Sequence, residues 1–274
     1  MNGITRLDQR QVSHLCTTLE QHVGALPAAG LRSLGLRGCV KTTLLYLAHN
    51  LTQELIAAIM DVSQATISRV IGAYTPLIAQ ALQDAVPTVE DLEPTTELII
   101  DGTLAPCWSW RDHPELYSGK HHTTGVNLQV ACTLSGHLAW VSDPLPGRAH
   151  DVTALRASGL LDLPASDLPT GTKPPRHLGD KGYTGTTMIT PYRKPPHRPL
   201  TSTEKDANHV HGRIRYKIER TIANIKTWRI LHNDYRRPLN TFNTTITAVL
   251  ALIFTYWGEW CFSDTGRFCS PLIR

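Results

Sequence analysis

The hydrophobic period changes from helical to strand-like just after Val86–Pro94, and that change constrains the fold most. Before Val86, apolar residues recur at helical spacing through Leu44, Leu45, Leu51, Leu55, Ile56, Ile59, Ile67 and Val70, and no Pro falls between Pro27 and Pro76. Residues 1–95 therefore read as a small all-α domain. The Pro-bounded segment Val86–Pro94 reads as a linker, and from Thr96 the pattern turns to strands. Glu97–Asp101 is an apolar run ending in an acid. Val126–Leu134 alternates, and Leu138–Pro144 follows a Ser135-Gly136 turn as the second arm of a hairpin. His150–Leu161 reads as a helix opening at Asp151, and Pro164–Pro175 as a Pro- and Gly-rich loop. Short strands are expected at Arg176–Asp180 and Ile189–Arg193, then a polar loop to about Gly212. A long helix over Arg213–Leu231 and a last one over Asn243–Trp257 complete the chain.

Strand, hairpin, helix, strand, strand, helix is the order of a ribonuclease H-like core, an α/β fold with a mixed sheet flanked by helices. The expected organisation is a helical domain over 1–95, a ribonuclease H-like domain over 96–257 and a tail over 258–274. In such a core the first and fourth strands lie side by side. That brings Asp101 and Asp180 together, and the long helix brings Glu219 to the same edge. Converging carboxylates repel unless cations neutralise them. Hard divalent ions with oxygen ligands do so, and a pair of ions can clamp an in-line phosphoryl displacement.

Each acid also has a structural reading. Asp101 can simply terminate a strand. Asp180, in Gly179-Asp180-Lys181-Gly182-Tyr183, can form an Asx turn. Glu219 can pair on the helix surface with Arg215, worth about 0.5 kcal/mol. The chemical reading has Glu219 on metal and Arg215 and Lys226 on phosphate. Asp151, in Gly147-Arg148-Ala149-His150-Asp151, is expected to cap its helix and is the candidate fourth metal ligand. Lys120-His121-His122 reads as a solvated polar loop, or as a DNA contact.

Charge is uneven. The chain has a formal net charge of +4, yet residues 1–95 carry 6 Lys/Arg against 8 Asp/Glu, and residues 173–237 carry 15 against 5. The basic block encloses two of the three acids, and a polyanion is its natural partner. The cysteines (Cys16, Cys39, Cys107, Cys132, Cys261 and Cys269) form no CxxC pair, which argues against zinc. Scattered thiols and an N-terminus unlike a secretory leader imply a cytoplasmic protein, associated with the nucleoid if bacterial. Ala248–Trp257 is short of the roughly 20 residues that span a bilayer and reads as a buried helix, so no membrane partner is expected.

Leu51–Ile71 has the pattern of a helix-turn-helix, the motif extending over about 51–74. Ala57 is small where two helices must approach, Asp61 sits at the turn, and Thr52 and Ser63 are placed to cap. Val62, Ile67 and Val70 are the apolar anchors. The second helix would offer Gln64, Ala65, Thr66, Ser68 and Arg69 to a major groove. The alternative is a plain helical hairpin, and the net negative charge of this region tempers the DNA reading.

As an ordered set, several motifs resemble the DDE-superfamily transposases of the insertion-sequence and Harbinger-like type. They are Asp101-Gly102-Thr103, Tyr117–His122, Gly147–Asp151, Gly179–Tyr183, Thr190–Lys194 and Glu219–Arg229. The resemblance covers nearly the whole chain. It implies Asp101, Asp180 and Glu219 as the catalytic triad, holding two Mg2+ ions, with Mn2+ as the alternative metal. It also implies DNA ends and target as substrates, a homo-oligomer that joins them, and no small-molecule cofactor. Gly212 stands where many relatives carry a Tyr three residues before the Arg, which removes one aromatic from the expected site. Two other classes fit part of the pattern: a helix-turn-helix regulator with an inactive core, and a metal-dependent endonuclease that cuts without joining.

Overall fold

The computed structural model describes residues 4–108, 112–162, 168 and 173–257. In chain order the helices are α1 (Gln9–His22), α2 (Leu31–His49), α3 (Gln53–Met60), α4 (Gln64–Ala81), α5 (Asp151–Ala157), α6 (Ser202–Ile225) and α7 (Phe242–Trp257). The strands are β1 (Leu98–Pro106), β2 (Tyr117–Ser118), β3 (Thr123–Thr133), β4 (Leu138–Val141) and β5 (Leu145–Pro146). The chain divides into two compact units. One joins residues 4–86 with residues 225–257, and among the described residues the other lies within Pro87–Asn224. The anticipated tail over 258–274, with Cys261 and Cys269, lies outside the described residues, as does most of the Pro164–Pro175 loop.

In the helical unit, side-chain caps set the boundaries. Asp8 and Gln11 form a reciprocal capping box at α1. Thr52 Oγ1 accepts from Leu55 N at α3, and Ser63 Oγ accepts from Thr66 N at α4. Asp61 takes the left-handed conformation (φ 53°) that ends α3, so α4 leaves at 104°. That angle falls in the range of a helix-turn-helix. Ile56, Ala57, Ile67 and Val70 are buried at the crossing, while Val62 is half-buried. Leu55 and Ile59, read above as part of the apolar face, are instead 48% and 55% exposed. An eight-residue helix has room to bury only one side, and Ile56 and Ala57 occupy it. α4 also continues past residue 74, through Pro76, to Ala81.

α7 packs on α4 within this unit. Compactness thus groups it with the helical residues, whereas the strand-and-helix order grouped it with 96–257. The stretch Leu239–Trp257 is long and apolar enough to pass for a membrane span. Its side chains are spent on packing, with Ile246, Val249, Ala251 and Leu252 almost fully buried.

In the second unit β3 is the organising strand. It pairs antiparallel with β1 on one edge and with β4 and β5 in succession on the other. Beyond β1, Leu178 forms a parallel rung with Ile99, and Ile189 a further parallel rung with Leu178. Ile100 N donates to Leu178 O (2.8 Å), and Leu178 N donates to Leu98 O (2.8 Å). The mixed sheet with the first and fourth strand segments adjacent is that of a ribonuclease H-like core. The fourth and fifth segments are single rungs, not the full strands expected.

The bounds of α5, β1 and α6 differ from the sequence reading, and α5 ends at Ala157, short of Leu161. β1 does not stop at Asp101; it runs on to Pro106, because β3 continues to pair with it. α6 starts at Ser202, not Arg213, and ends at Ile225, not Leu231. Its start is fixed by a capping box: Glu204 N donates to Thr201 Oγ1 (3.2 Å), and Thr201 N donates to Glu204 Oε2 (2.8 Å). Polar composition over 201–212 disguised this helix as a loop.

Arg198 donates two hydrogen bonds to Glu204, each 2.7 Å. These bonds, then that from Thr201, push the Glu204 carboxyl down to about 2. A depressed carboxyl contributes its stabilisation above the unfolded value and loses it as pH falls through the folded one. Amide protection factors over the first turn of α6 should therefore drop between pH 4.5 and 2. The drop should be absent in Glu204→Gln and reduced by salt, because the pair is exposed.

Candidate active site

Side chains on a strand alternate between faces. On β1, Leu98 and Ile100 point into a core with Leu155 of α5, Tyr183 and Met188. Asp101 therefore points the other way, toward α6. There it is only 9% exposed, and Arg215 Nη2 donates to its Oδ2 at 2.5 Å. The same guanidinium reaches Glu219 Oε1 through Nη1 at 3.6 Å. Arg215 thus bridges two of the three acids. Burial pushes the Asp101 carboxyl up; Arg215 pulls it down, Asp180 pushes it up again, and the sum lies above the usual carboxylate range. Arg215 Nε is buried without a hydrogen-bond partner.

Asp180 opens a short turn, and its Oδ1 accepts from Gly182 N at 2.7 Å. This is the Asx turn of the structural reading, and it coexists with the carboxylate's electrostatic reach to Asp101. Glu219 is exposed, its side chain 56% accessible. Among the described residues, no three His, Cys, Asp or Glu side chains are grouped closely enough to hold a metal ion. The donors present are hard carboxylate oxygens, the type that Mg2+ and Mn2+ take. Arg215 is the countercharge between them. Lys226 does not share the helix with Glu219, because α6 ends at Ile225; it is half-buried in the turn that follows, and burial lowers its pKa.

Asp151 does not cap α5. His150 holds the N-cap position, and Asp151 is the first helical residue. Its Oδ2 accepts from Lys120 Nζ at 2.7 Å and its Oδ1 from Asn127 Nδ2 at 3.0 Å. Burial raises its carboxyl, but the bonds from Lys120 and Asn127 outweigh that and leave it below the usual range. A polar chain continues inward. Gln129 Nε2 donates to Asn127 Oδ1 (2.9 Å), and Tyr183 Oη donates to Gln129 Oε1 (2.7 Å). Gly102 makes room for it, since a Cβ there would lie 2.3 Å from Asp151 Oδ1. Sequence reasoning passed over Asn127 and Gln129. Their signal was two amides at i and i+2 on one face of an otherwise apolar strand.

Removing one partner of a buried hydrogen bond costs more than the bond itself contributes. Tyr183→Phe leaves Gln129 Oε1 without its donor, and urea unfolding should show a loss of about 1–3 kcal/mol. A change within 0.3 kcal/mol would mean that the buried amide is satisfied another way.

On α4, Gln64, Ala65 and Arg69 are exposed, and Thr66 and Ser68 are half-buried. Gln64 Nε2 donates to Gln53 Oε1 of α3, and Thr66 Oγ1 bonds the Ser63 hydroxyl. Arg69 is the exposed cation among the candidate contacts of this helix.

These features agree with comparisons to known proteins. Residues 33–84 match the helix-turn-helix model of the DDE superfamily endonucleases. One relative, from Streptomyces albus G, is assigned as the transposase for insertion sequence element IS112 and is 29% identical over 230 residues, 83% of each chain. A second, from Microchaete diplosiphon, is assigned as the transposase for insertion sequence element IS702 and is 25% identical over 213 residues, 71% of this chain and 70% of its own. No solved structure matches. Residues 100–253, more than half of the chain, match the DDE superfamily endonuclease model, and the protein belongs to that family.

Proposed function

We propose that the protein is a transposase that cuts and joins DNA at the ends of a mobile element, with Asp101, Asp180 and Glu219 as its divalent-cation ligands. The observation that carries this reading is the junction at Arg215, which meets Asp101 and Glu219 at once, beside Asp180. Bound there, Mg2+ or Mn2+ would make water nucleophilic and stabilise the departing oxygen.

In the first step a water oxygen attacks the phosphorus, the P–O3′ bond breaks, and the element's 3′ oxygen leaves as a hydroxyl. In the second, that 3′-OH attacks a target phosphodiester, loses its proton to solvent, and displaces the target's own 3′ oxygen. No covalent enzyme intermediate is required. The chain's part is to hold charge in place. Asp101 is rigid because strand pairing fixes its backbone on both sides. Arg215, a partly exposed guanidinium, would exchange its carboxylate partners for a phosphate. The helix-turn-helix would bind element ends through Arg69 and its exposed neighbours on α4. Two ends must be joined, so assembly of more than one copy is part of the proposal. Lys226 is the weaker of the proposed phosphate contacts, because burial already disfavours its charge.

The test separates chemistry from binding. Glu219→Gln preserves size and helix propensity but removes a charge. It should bind a labelled duplex carrying the gene's flanking DNA as the wild type does, yet neither nick nor join it in Mg2+. Cutting at the wild-type rate would remove Glu219 from the metal site. In gel-shift titrations of the same duplex, Arg69→Ala should weaken binding at least several-fold; unchanged affinity would assign α4 another task.

A further inference from the structure

The Lys120-His121-His122 turn has no role in the proposed reaction, yet it reaches the same acids. We propose that Lys120 contacts the scissile phosphate, and that Asp151 is a positioning residue for Lys120 and not a metal ligand. The inference rests on the phosphoryl-transfer reading above.

Three observations support it. Asp151 and Asp101 belong to opposite faces of β1, since Asp101 turns to α6 while Gly102, its neighbour, abuts Asp151. Both Asp151 oxygens are engaged, one by Lys120 and one by Asn127. The Asn127 amide is itself held, donating to Ala149 O (3.1 Å) and accepting from Gln129, which Tyr183 fixes in turn. Asp151 is thus a clamped anchor with a side chain only 13% exposed, and the Lys120 side chain above it is 57% exposed.

The ammonium is bonded to Asp151, whose carboxylate lies against Gly102, the β1 neighbour of Asp101. Burial lowers its pKa, but the bond to Asp151 and the charges of Asp151, Asp101 and Asp180 raise it by more. The turn that carries it is tight: Lys120 lies between β2 and β3, and His122 takes a left-handed φ of 52°. An ammonium has three donors, so one bond to Asp151 leaves others for a ligand. An anionic phosphate oxygen is the ligand that suits an exposed cation held beside the strand that carries Asp101. A cation pre-aimed at charge that builds up during the reaction also needs no reorganisation. The buried chain from Tyr183 to Asp151 would supply that aim.

The test uses the full-length protein and a supercoiled plasmid carrying the gene with its flanking DNA, in Mg2+. Lys120→Ala should slow cleavage about 100-fold or more, the usual cost of removing one pre-aimed donor. DNA affinity by gel shift and Mn2+ affinity by calorimetry should stay within about twofold. Lys120→Arg should recover part of the rate. Asp151→Asn should slow cleavage without loss of Mn2+ binding, and the double variant should be no slower than Lys120→Ala alone, as expected for residues acting as a unit. Loss of Mn2+ binding in Asp151→Asn would make Asp151 a metal ligand and overturn the proposal. So would multiplicative effects in the double variant, or wild-type cleavage by Lys120→Ala. A wild-type protein that neither binds Mn2+ nor cuts would contradict the phosphoryl-transfer reading, and the phosphate role with it. The pairing is then read alone from 13C-dimethylated lysine spectra: a shift of the Lys120 signal in Asp151→Asn supports it, and an unmoved signal refutes it.

Discussion

Asp101 sits in the middle of a sheet, almost wholly out of water, and Arg215 of α6 is the cation that balances it. A buried carboxylate left alone costs several kcal/mol, and breaking a buried pair by deleting one member costs about 3–5 kcal/mol. Burial wins over pairing here, because the carboxyl still ends above its ordinary range. An apolar residue at this position would be cheaper for the fold. The acid is therefore a stability cost that the core accommodates, and such costs mark functional sites. Other features of the second unit follow from this one. β3 pairs with β1 along its whole length, which fixes the Asp101 backbone. Lys217 Nζ and Thr221 Oγ1 tie α6 to the turn between β3 and β4 through Leu134 O and Gly136 O, which fixes Arg215 from the other side.

The opposite face of the sheet carries a second polar system. Tyr183, Gln129, Asn127, Asp151 and Lys120 form an unbroken hydrogen-bonded line from the Asp180 turn to the surface. Buried polar chains rigidify when every member is satisfied and destabilise when one is not. This one is satisfied at each step, so it joins the Asp180 turn, the central strand and the Lys120 turn into one body. Gly102 and Gly179 give it space. A side chain at Gly102 would strike Asp151, and one at Gly179 would strike the Tyr183 ring. The Asp101-Gly102 and Gly179-Asp180 pairs thus couple each proposed ligand to the room its neighbour requires.

The helix-turn-helix was legible almost residue by residue, because caps, turn and apolar anchors are local in sequence. Thr52, Ser63, Asp61, Ala57, Ile67 and Val70 take the roles that their types and spacing implied. The adjacency of the Asp101 and Asp180 strand segments was legible from the order of elements alone. What the sequence hid was decided by tertiary context. The first half of α6 is too polar to show a period, though Thr201 and Glu204 carried the capping signal. The end of α6 was hidden because Lys226 and Trp228 continue a helical pattern that the chain abandons at Ile225. Asp151 has no capping role because its partners, Lys120 and Asn127, lie 31 and 24 residues away in the chain, beyond the reach of a local pattern.

The central claim is that Asp101, Asp180 and Glu219 hold divalent cations on one face of the sheet. Anomalous diffraction at the manganese edge, from crystals of the full-length protein grown with Mn2+ and a duplex of the flanking DNA, tests it most directly. The account predicts Mn2+ bound by Asp101 and Asp180, with Glu219 on a second ion about 4 Å away and Arg215 moved from Asp101 to phosphate. Manganese held by Asp151 in place of Asp180, or Arg215 still on Asp101 with no ion beside it, would contradict it.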